Sequence, residues 1–291
     1  MKSYIIEACT DLGTHVDGSH LGPDKIIENL NYNHISKIVK DDIEKSHNPE
    51  DKNKNIEAIN KFNEELYSCE KSVIEKEFFP ITLGGDHSLA IGSALASIKQ
   101  NKNLGIIWID SHGDFNTPET TITGNIHGYP FAAICGFGNK DIVKFHDGEF
   151  FNPKNAVLVG GRDIDIPGEV NNLKSAGVTV FTTEDILKQG ASKIMEEAFR
   201  IASNGTNGIH ISYDIDSIDP NVAPGVSIPA KDGFGEKEAY EILDSIVDHS
   251  SLVKSMDIVE FNPLFDKDDK TLTIARNILN KIVETKENEQ S

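Results

Sequence analysis

An α/β fold, with a mainly parallel central sheet and helices on both faces, is what this sequence predicts. Three observations predict it. Short apolar runs alternate with stretches of helical spacing along the whole chain. Five of those runs end in ionisable residues, as expected where parallel strands deliver side chains to one shared edge. The length of 291 residues suits one large α/β domain or two small ones.

The elements follow in order. Strands are expected at 4–8, 80–83, 104–109, 156–159, 178–182, 209–212 and 255–259, each a compact apolar run. Helical spacing marks 90–99, 186–203, 236–248 and 271–285. Between residues 31 and 77 the chain is polar and rich in Lys, Asn and Glu, yet 55–73 places Ile56, Ile59, Phe62 and Leu66 on one helical face. The first part of that region, near 45–54, reads as an exposed polar loop, and the tail 284–291 as frayed. No repeat of 20–50 residues and no linker divides the chain, so a single domain over 1–291 is expected.

Composition narrows the function. Hydrophobic residues make up 38% and charged residues 26%, enough for a packed core. A net charge of −19 argues against nucleic acid or an anionic membrane as partner and favours a small cationic ligand. Cys9, Cys69 and Cys135 are too few and too scattered for a disulfide framework or a thiolate metal site. With no long apolar segment and no secretion signal, a cytoplasmic protein is expected.

The chemistry gathers at strand ends. Strand 80–83 leads into Gly84-Gly85-Asp86-His87-Ser88, and strand 104–109 into Asp110-Ser111-His112-Gly113-Asp114. Strand 156–159 leads into Gly160-Gly161-Arg162-Asp163, 209–212 into Asp214 and Asp216, and 255–259 into Glu260. In extended chain, residues i, i+2 and i+4 share a face, so Asp110, His112 and Asp114 point one way, as do Asp214 and Asp216. Asp-Ile-Asp alone is a common strand end or turn. Four carboxylates with the imidazoles of His87 and His112 are different, because such crowding is stable only with intervening cations. Two divalent ions would neutralise the four charges, and an oxygen-rich set with some imidazole suits Mn²⁺ better than Zn²⁺.

These motifs resemble the ureohydrolases, the family of arginase, agmatinase and their relatives. "LGGDHSLAIG", "IDSHGDFN", "SYDIDSIDP" and "DIVEFNP" stand in family order, and the likeness runs from about residue 12 to 265. The resemblance implies a three-layer α/β/α arginase-like fold with two Mn²⁺ at the strand ends. Its metal ligands would be His87, Asp110, His112, Asp114, Asp214 and Asp216, with Asp110 and Asp214 bridging. Where the family has Ala this chain has Ser111, whose side chain is expected to point away from the metals. The stretch "NTPETTITGNIHGYP" looks most like bacterial arginase. Asn116, Thr123 and Asn125 would then hold an α-carboxylate, and Asp165 and Glu169 the α-amino group. Ile166 is an extra residue between those two acids.

The activity implied is hydrolysis of L-arginine to L-ornithine and urea, with hydroxide generated at the metals as nucleophile. Asp114 would orient it, Glu260 would hold the guanidinium, and His127 would carry a proton to the leaving amine. The partner would be a small guanidino substrate, and the assembly a homo-oligomer, trimer or hexamer. One departure stands out. The family usually reads Gly-Thr-Pro and a Gly-Gly turn where this chain has Ser227-Ile228-Pro229 and 230–233, so a hydroxyl near the guanidinium is lost. That departure leaves two alternatives: agmatinase, guanidinobutyrase or formiminoglutamase activity, and a metal-binding relative without turnover.

Overall fold

A computed structural model describes residues 2–32, 34–48 and 50–289. Among these residues eight strands form one sheet: β1 (Ser3–Cys9), β2 (Ile35–Val39), β3 (Phe79–Gly84), β4 (Gly105–Ile109), β5 (Ala156–Gly161), β6 (Thr179–Thr182), β7 (Ile209–Asp214) and β8 (Val253–Val259). Their order is β2-β1-β3-β8-β7-β4-β5-β6. Every pairing is parallel. The five strands that end in ionisable residues, β3, β8, β7, β4 and β5, are therefore consecutive neighbours.

The helices are α1 (Gly22–Ile27), α2 (Ile56–Glu75), α3 (Ala90–Asn101), α4 (Pro130–Ile134), α5 (Gly168–Ala176), α6 (Thr183–Gln189), α7 (Ala191–Ala202), α8 (Glu236–Asp248) and α9 (Lys270–Asn288). Strand alternation divides the core. Ile107 and Ile109 of β4 join a cluster with Met195, Phe199, Ile242 and Ile278 from α7, α8 and α9. Ile106 and Trp108 face the other way, into a cluster with Ile91, Leu95 and Phe131 from α3 and α4. The sheet is thus covered on both faces, as a parallel sheet requires.

Expected and observed elements differ in instructive places. The expected helix 186–203 is two helices, because Gly190 adopts φ 94°, a conformation open to glycine, and breaks the path. Strand β2 lies inside the polar region and has no expected counterpart; as an edge strand it leaves Ile35 and Val39 exposed and carries Lys37. The tail expected to fray from 284 is helical through Asn288, with Val283 and Lys286 buried against the body; 290 and 291 lie outside the described residues. Among the described residues near 45–54 no helix or strand forms; 45, 46 and 51–53 are half-buried and Lys54 is buried.

Candidate active site

The site begins where β3 ends. A Cβ at Gly85 would stand 1.7 Å from the Thr10 carbonyl oxygen, so glycine alone permits the crossing that brings His87 over the sheet. Asp86 caps the following turn, accepting from Ser88 N at 2.9 Å and from Gly13 N at 3.0 Å. The His87 ring stacks on Trp108 at 4.0 Å between centroids, and Trp108 stacks on Phe131. Its Nε2 is 2.9 Å from Ser212 Oγ, which leaves Nδ1 directed into the site.

Three carboxylates meet that Nδ1. Asp110 Oδ2 lies 3.1 Å away, Asp214 Oδ2 3.1 Å and Asp114 Oδ2 3.2 Å. None is aligned as a hydrogen-bond acceptor, and the buried nitrogen has no such partner. Around His112 Nδ1 a second group forms, with Asp216 Oδ2 at 3.1 Å and Asp110 Oδ1 at 3.5 Å. Asp110 belongs to both groups, one oxygen toward each. Asp214 Oδ2 faces the His87 group, and its Oδ1 accepts the Asp216 N–H at 2.7 Å.

The donor set fits divalent cations. Ligands about 2.1 Å from an ion and at right angles to each other are about 3.0 Å apart, close to these separations. An imidazole nitrogen surrounded by acceptors, none of them in line, is also what a lone pair directed at a cation requires. Electrostatics agree. Burial and the neighbouring Asp110 charge push the Asp114 carboxyl up to about 7. Burial, Asp216 and Asp110 together hold Asp214 well above the usual carboxylate range. Burial acts to lower the pKa of His87, yet Asp110, Asp114 and Asp214 outweigh it and hold it well above the ordinary value. Positive charge is what this cluster needs.

Ser111 corrects an expectation. Its hydroxyl does not point away: it donates to Asp216 Oδ1 at 2.7 Å and lies 3.1 Å from His112 Nδ1. The main chain turns there, bringing Arg162 N and Asp163 N to the Ser111 carbonyl at 2.8 and 3.0 Å, and the side chain folds under Asp216.

Two backbone positions carry strain. Asp114 has φ 47° and Glu260 has φ 65°, left-handed values that non-glycine residues seldom take. Each costs on the order of 1–3 kcal/mol unless its surroundings hold it. Glu260 is held by its own partners: its N–H donates to Gly85 O at 2.8 Å, and its Oε1 accepts the His87 N–H at 2.8 Å. Oε1 is also 3.3 Å from His127 Nδ1, while Oε2 is buried without a partner. His127 is pulled down by burial, but the Glu260 carboxylate outweighs that and raises it above its ordinary value.

Beside these groups opens a cavity of about 220 Å³. His112 and Asp114 reach it from the metal-type groups, and His127 from its pairing with Glu260. Asn116, Thr123 and Asn125 line it with neutral donors and acceptors, and Asp165 and Glu169 with acids. The two sets meet where Asn116 Nδ2 donates to Asp165 Oδ2 at 3.0 Å. Glu169 is buried; its oxygens accept from Phe115 N at 2.8 Å and Asp165 N at 2.9 Å, and burial pushes it up to about 8. The extra Ile166 is 83% exposed, so the insertion turns outward and leaves Glu169 on the cavity. Ile228 contributes an apolar patch to the lining.

The sequence reading missed several supporting residues. Arg162 gathers the carbonyls of Asp216, Ser217, Ala230 and Lys231 at 2.8–3.0 Å, tying the Asp216 turn to the loop beyond Ile228. Its place at a strand end was the only signal. Asp163 lines the cavity, and Trp108 Nε1 donates to Asp110 Oδ2 at 2.9 Å. Lys54 and His15, remote in sequence, both contact Asn125. A third group that could take a metal, Glu7, Cys9 and Asp24, lies apart from the site; Lys37 already pairs with Asp24 there, and burial pushes the Cys9 thiol up to about 12.

Comparison with known proteins places this geometry. The model of the arginase family matches residues 2–284. The arginase of Bacillus subtilis (strain 168) is 39% identical over 219 residues, 75% of this chain and 73% of the relative. That of Bacillus caldovelox is 33% identical over 283 residues, 93% and 94% of the two chains, and its solved structure superposes with a TM-score of 0.87 over 97% and 98%. The arginase of Entamoeba histolytica, solved in complex with L-ornithine, superposes with a TM-score of 0.86 at 25% identity over 97% of this chain and 99% of its own. Sheet order, strand-end clusters and sequence thus converge, and the chain belongs to the arginase family.

Proposed function

We propose that the protein hydrolyses the guanidinium group of L-arginine to give urea and L-ornithine, with two Mn²⁺ per subunit. One observation carries the reading: two carboxylate–imidazole groups sharing Asp110 adjoin a cavity lined by both neutral and acidic side chains. Relatives matched over most of the chain are named arginases, which supports arginine as substrate. His87, Asp110, His112, Asp114, Asp214 and Asp216 would hold the ions. A pair of divalent ions bound there supplies an acidified water as nucleophile at neutral pH.

The remaining work falls to side chains. Asp114 accepts a hydrogen bond from the nucleophile and orients it toward the guanidinium carbon. The unpartnered Oε2 of Glu260 pairs with the guanidinium, a charge-assisted contact. As the C–N bond breaks, His127 delivers a proton to the leaving amine, and the Glu260 carboxylate beside it raises its pKa above the ordinary value. Asn116, Thr123 and Asn125 donate to the α-carboxylate, while Asp165 and Glu169 receive the α-ammonium. The reading extends to one domain spanning the chain and a cytoplasmic homo-oligomer, trimer or hexamer. Among the described residues no helix is long and apolar enough to cross a membrane.

Ile228 in the cavity lining favours a second reading, in which the same machinery acts on agmatine, guanidinobutyrate or formiminoglutamate. The test is product release by the Mn²⁺-loaded protein with arginine and agmatine side by side. Urea from arginine at the higher kcat/KM supports the first reading. Urea from agmatine alone, or formamide from a formimino substrate, moves the assignment to the second. No product at full metal loading overturns both.

A further inference from the structure

We infer that Lys54 is a positioning residue that makes the cavity selective for substrates bearing a free carboxylate. The inference rests on the reading of the cavity as an amino-acid site. Two lysines are buried among the described residues, Lys54 at 7% exposure and Lys286 at 3%. Lys286 has a carboxylate partner, Glu289, at 3.5 Å. Lys54 has none. Its ammonium donates to two neutral oxygens, Thr123 O at 2.7 Å and Asn125 Oδ1 at 3.3 Å. Burying an ammonium without a counter-charge is costly, and neutral acceptors offset that only in part.

Both residues that Lys54 touches line the cavity. The contact also fixes the Asn125 amide. With Oδ1 facing Lys54, Nδ2 faces His15 Nδ1 at 2.8 Å. His15 must be the acceptor in that pair because the amide nitrogen can only donate, and burial followed by the neighbouring His127, Lys54 and Lys45 lowers its pKa. One Asn125 N–H therefore goes to His15, and the other remains for a ligand. A cation on the amide oxygen polarises the group and strengthens that remaining donor. The loop itself is held by the same segment, since Gly124 packs against Asp51 so tightly that a Cβ would come within 2.1 Å of its carbonyl oxygen. Positive charge behind Thr123 and Asn125, with acids at Asp165 and Glu169, matches the two charges of an α-amino acid. A ligand without the carboxylate leaves Lys54 uncompensated.

The test compares metal-loaded wild type, Lys54→Gln, Lys54→Met and Lys54→Arg on L-arginine and agmatine. Lys54→Gln and Lys54→Met should raise KM for arginine about tenfold or more, as for loss of a charge-assisted contact, with kcat and the agmatine KM within about twofold. Lys54→Arg should recover most of the loss. Equal changes on both substrates would mean a purely structural role and would overturn the inference while leaving the arginase reading intact. Equilibrium binding of L-ornithine and putrescine is measured in parallel, independent of turnover and of how the arginase reading fares. Wild type should prefer ornithine and Lys54→Gln should lose most of that preference; no preference in wild type, or one unchanged in the variant, overturns the inference.

Discussion

Oε1 of Glu260 accepts the backbone N–H of His87 at 2.8 Å, so one carboxylate braces a candidate metal ligand and leaves its second oxygen for a cation. Glu260→Gln keeps an oxygen for His87 but removes the charge. It should lower kcat/KM for arginine by about 10- to 100-fold, the range for a charged hydrogen bond, with metal content unchanged. Steady-state kinetics with elemental analysis checks this. Full activity in the variant would place the guanidinium elsewhere.

Because Asp110 serves both clusters and His112 only one, their variants should differ in metal count. Asp110→Asn should lose both ions on dialysis, and His112→Asn should retain about one of the two. Chelation of the wild type should abolish urea release, and Mn²⁺ should restore it. Two ions retained by Asp110→Asn would contradict the shared-ligand geometry.

Ile228 occupies a place where the family usually offers a hydroxyl. Ile228→Thr should raise kcat/KM for arginine about fivefold or more, the worth of one recovered hydrogen bond. An unchanged value would show that the isoleucine simply closes the cavity.

Away from the site, Glu7 links stability to pH. Burial and a hydrogen bond with Asp24 raise its carboxyl from 4.5 to about 7. Folded chains therefore bind more protons at this position than unfolded ones between those values, and stability falls as pH rises through that window. The contribution is fully present below 4.5 and is lost above about 7. Glu7→Gln should flatten the fall in Tm between pH 5 and pH 8 by about 2–4 °C, the shift that about 1 kcal/mol gives in a domain of this size class. Parallel Tm curves for the two proteins would rule the linkage out.

Much of this was legible in the sequence because strands buried on both faces are continuous apolar runs; seven apolar runs correspond to β1 and β3–β8, of which only the edge strand β6 is half-buried throughout. The residues brought together at the carboxyl edge were legible because each follows directly on a strand end, although the chain is not extended there: Asp114 is left-handed and Asp216 lies in a 3-10 turn. What escaped notice had no such regularity. β2 is a short edge strand with only Ile38 buried, so its identity depends on pairing with β1. The hydroxyl of Ser111 turns toward Asp216 because the backbone leaves the extended path there, which no local pattern records. Lys54 and His15 reach Asn125 across 71 and 110 residues of sequence.

The five site-bearing strands lie side by side in one parallel sheet, and this arrangement governs how the protein can change. A slip of one residue in any of them would reverse every side chain beyond it and withdraw a donor from the cluster. Insertions between strands carry no such penalty, as the outward loop at Ile166 illustrates. Variation in specificity is therefore channelled into loops such as 121–128 and 227–233, while the sheet acts as a fixed frame that evolution can decorate but not shift.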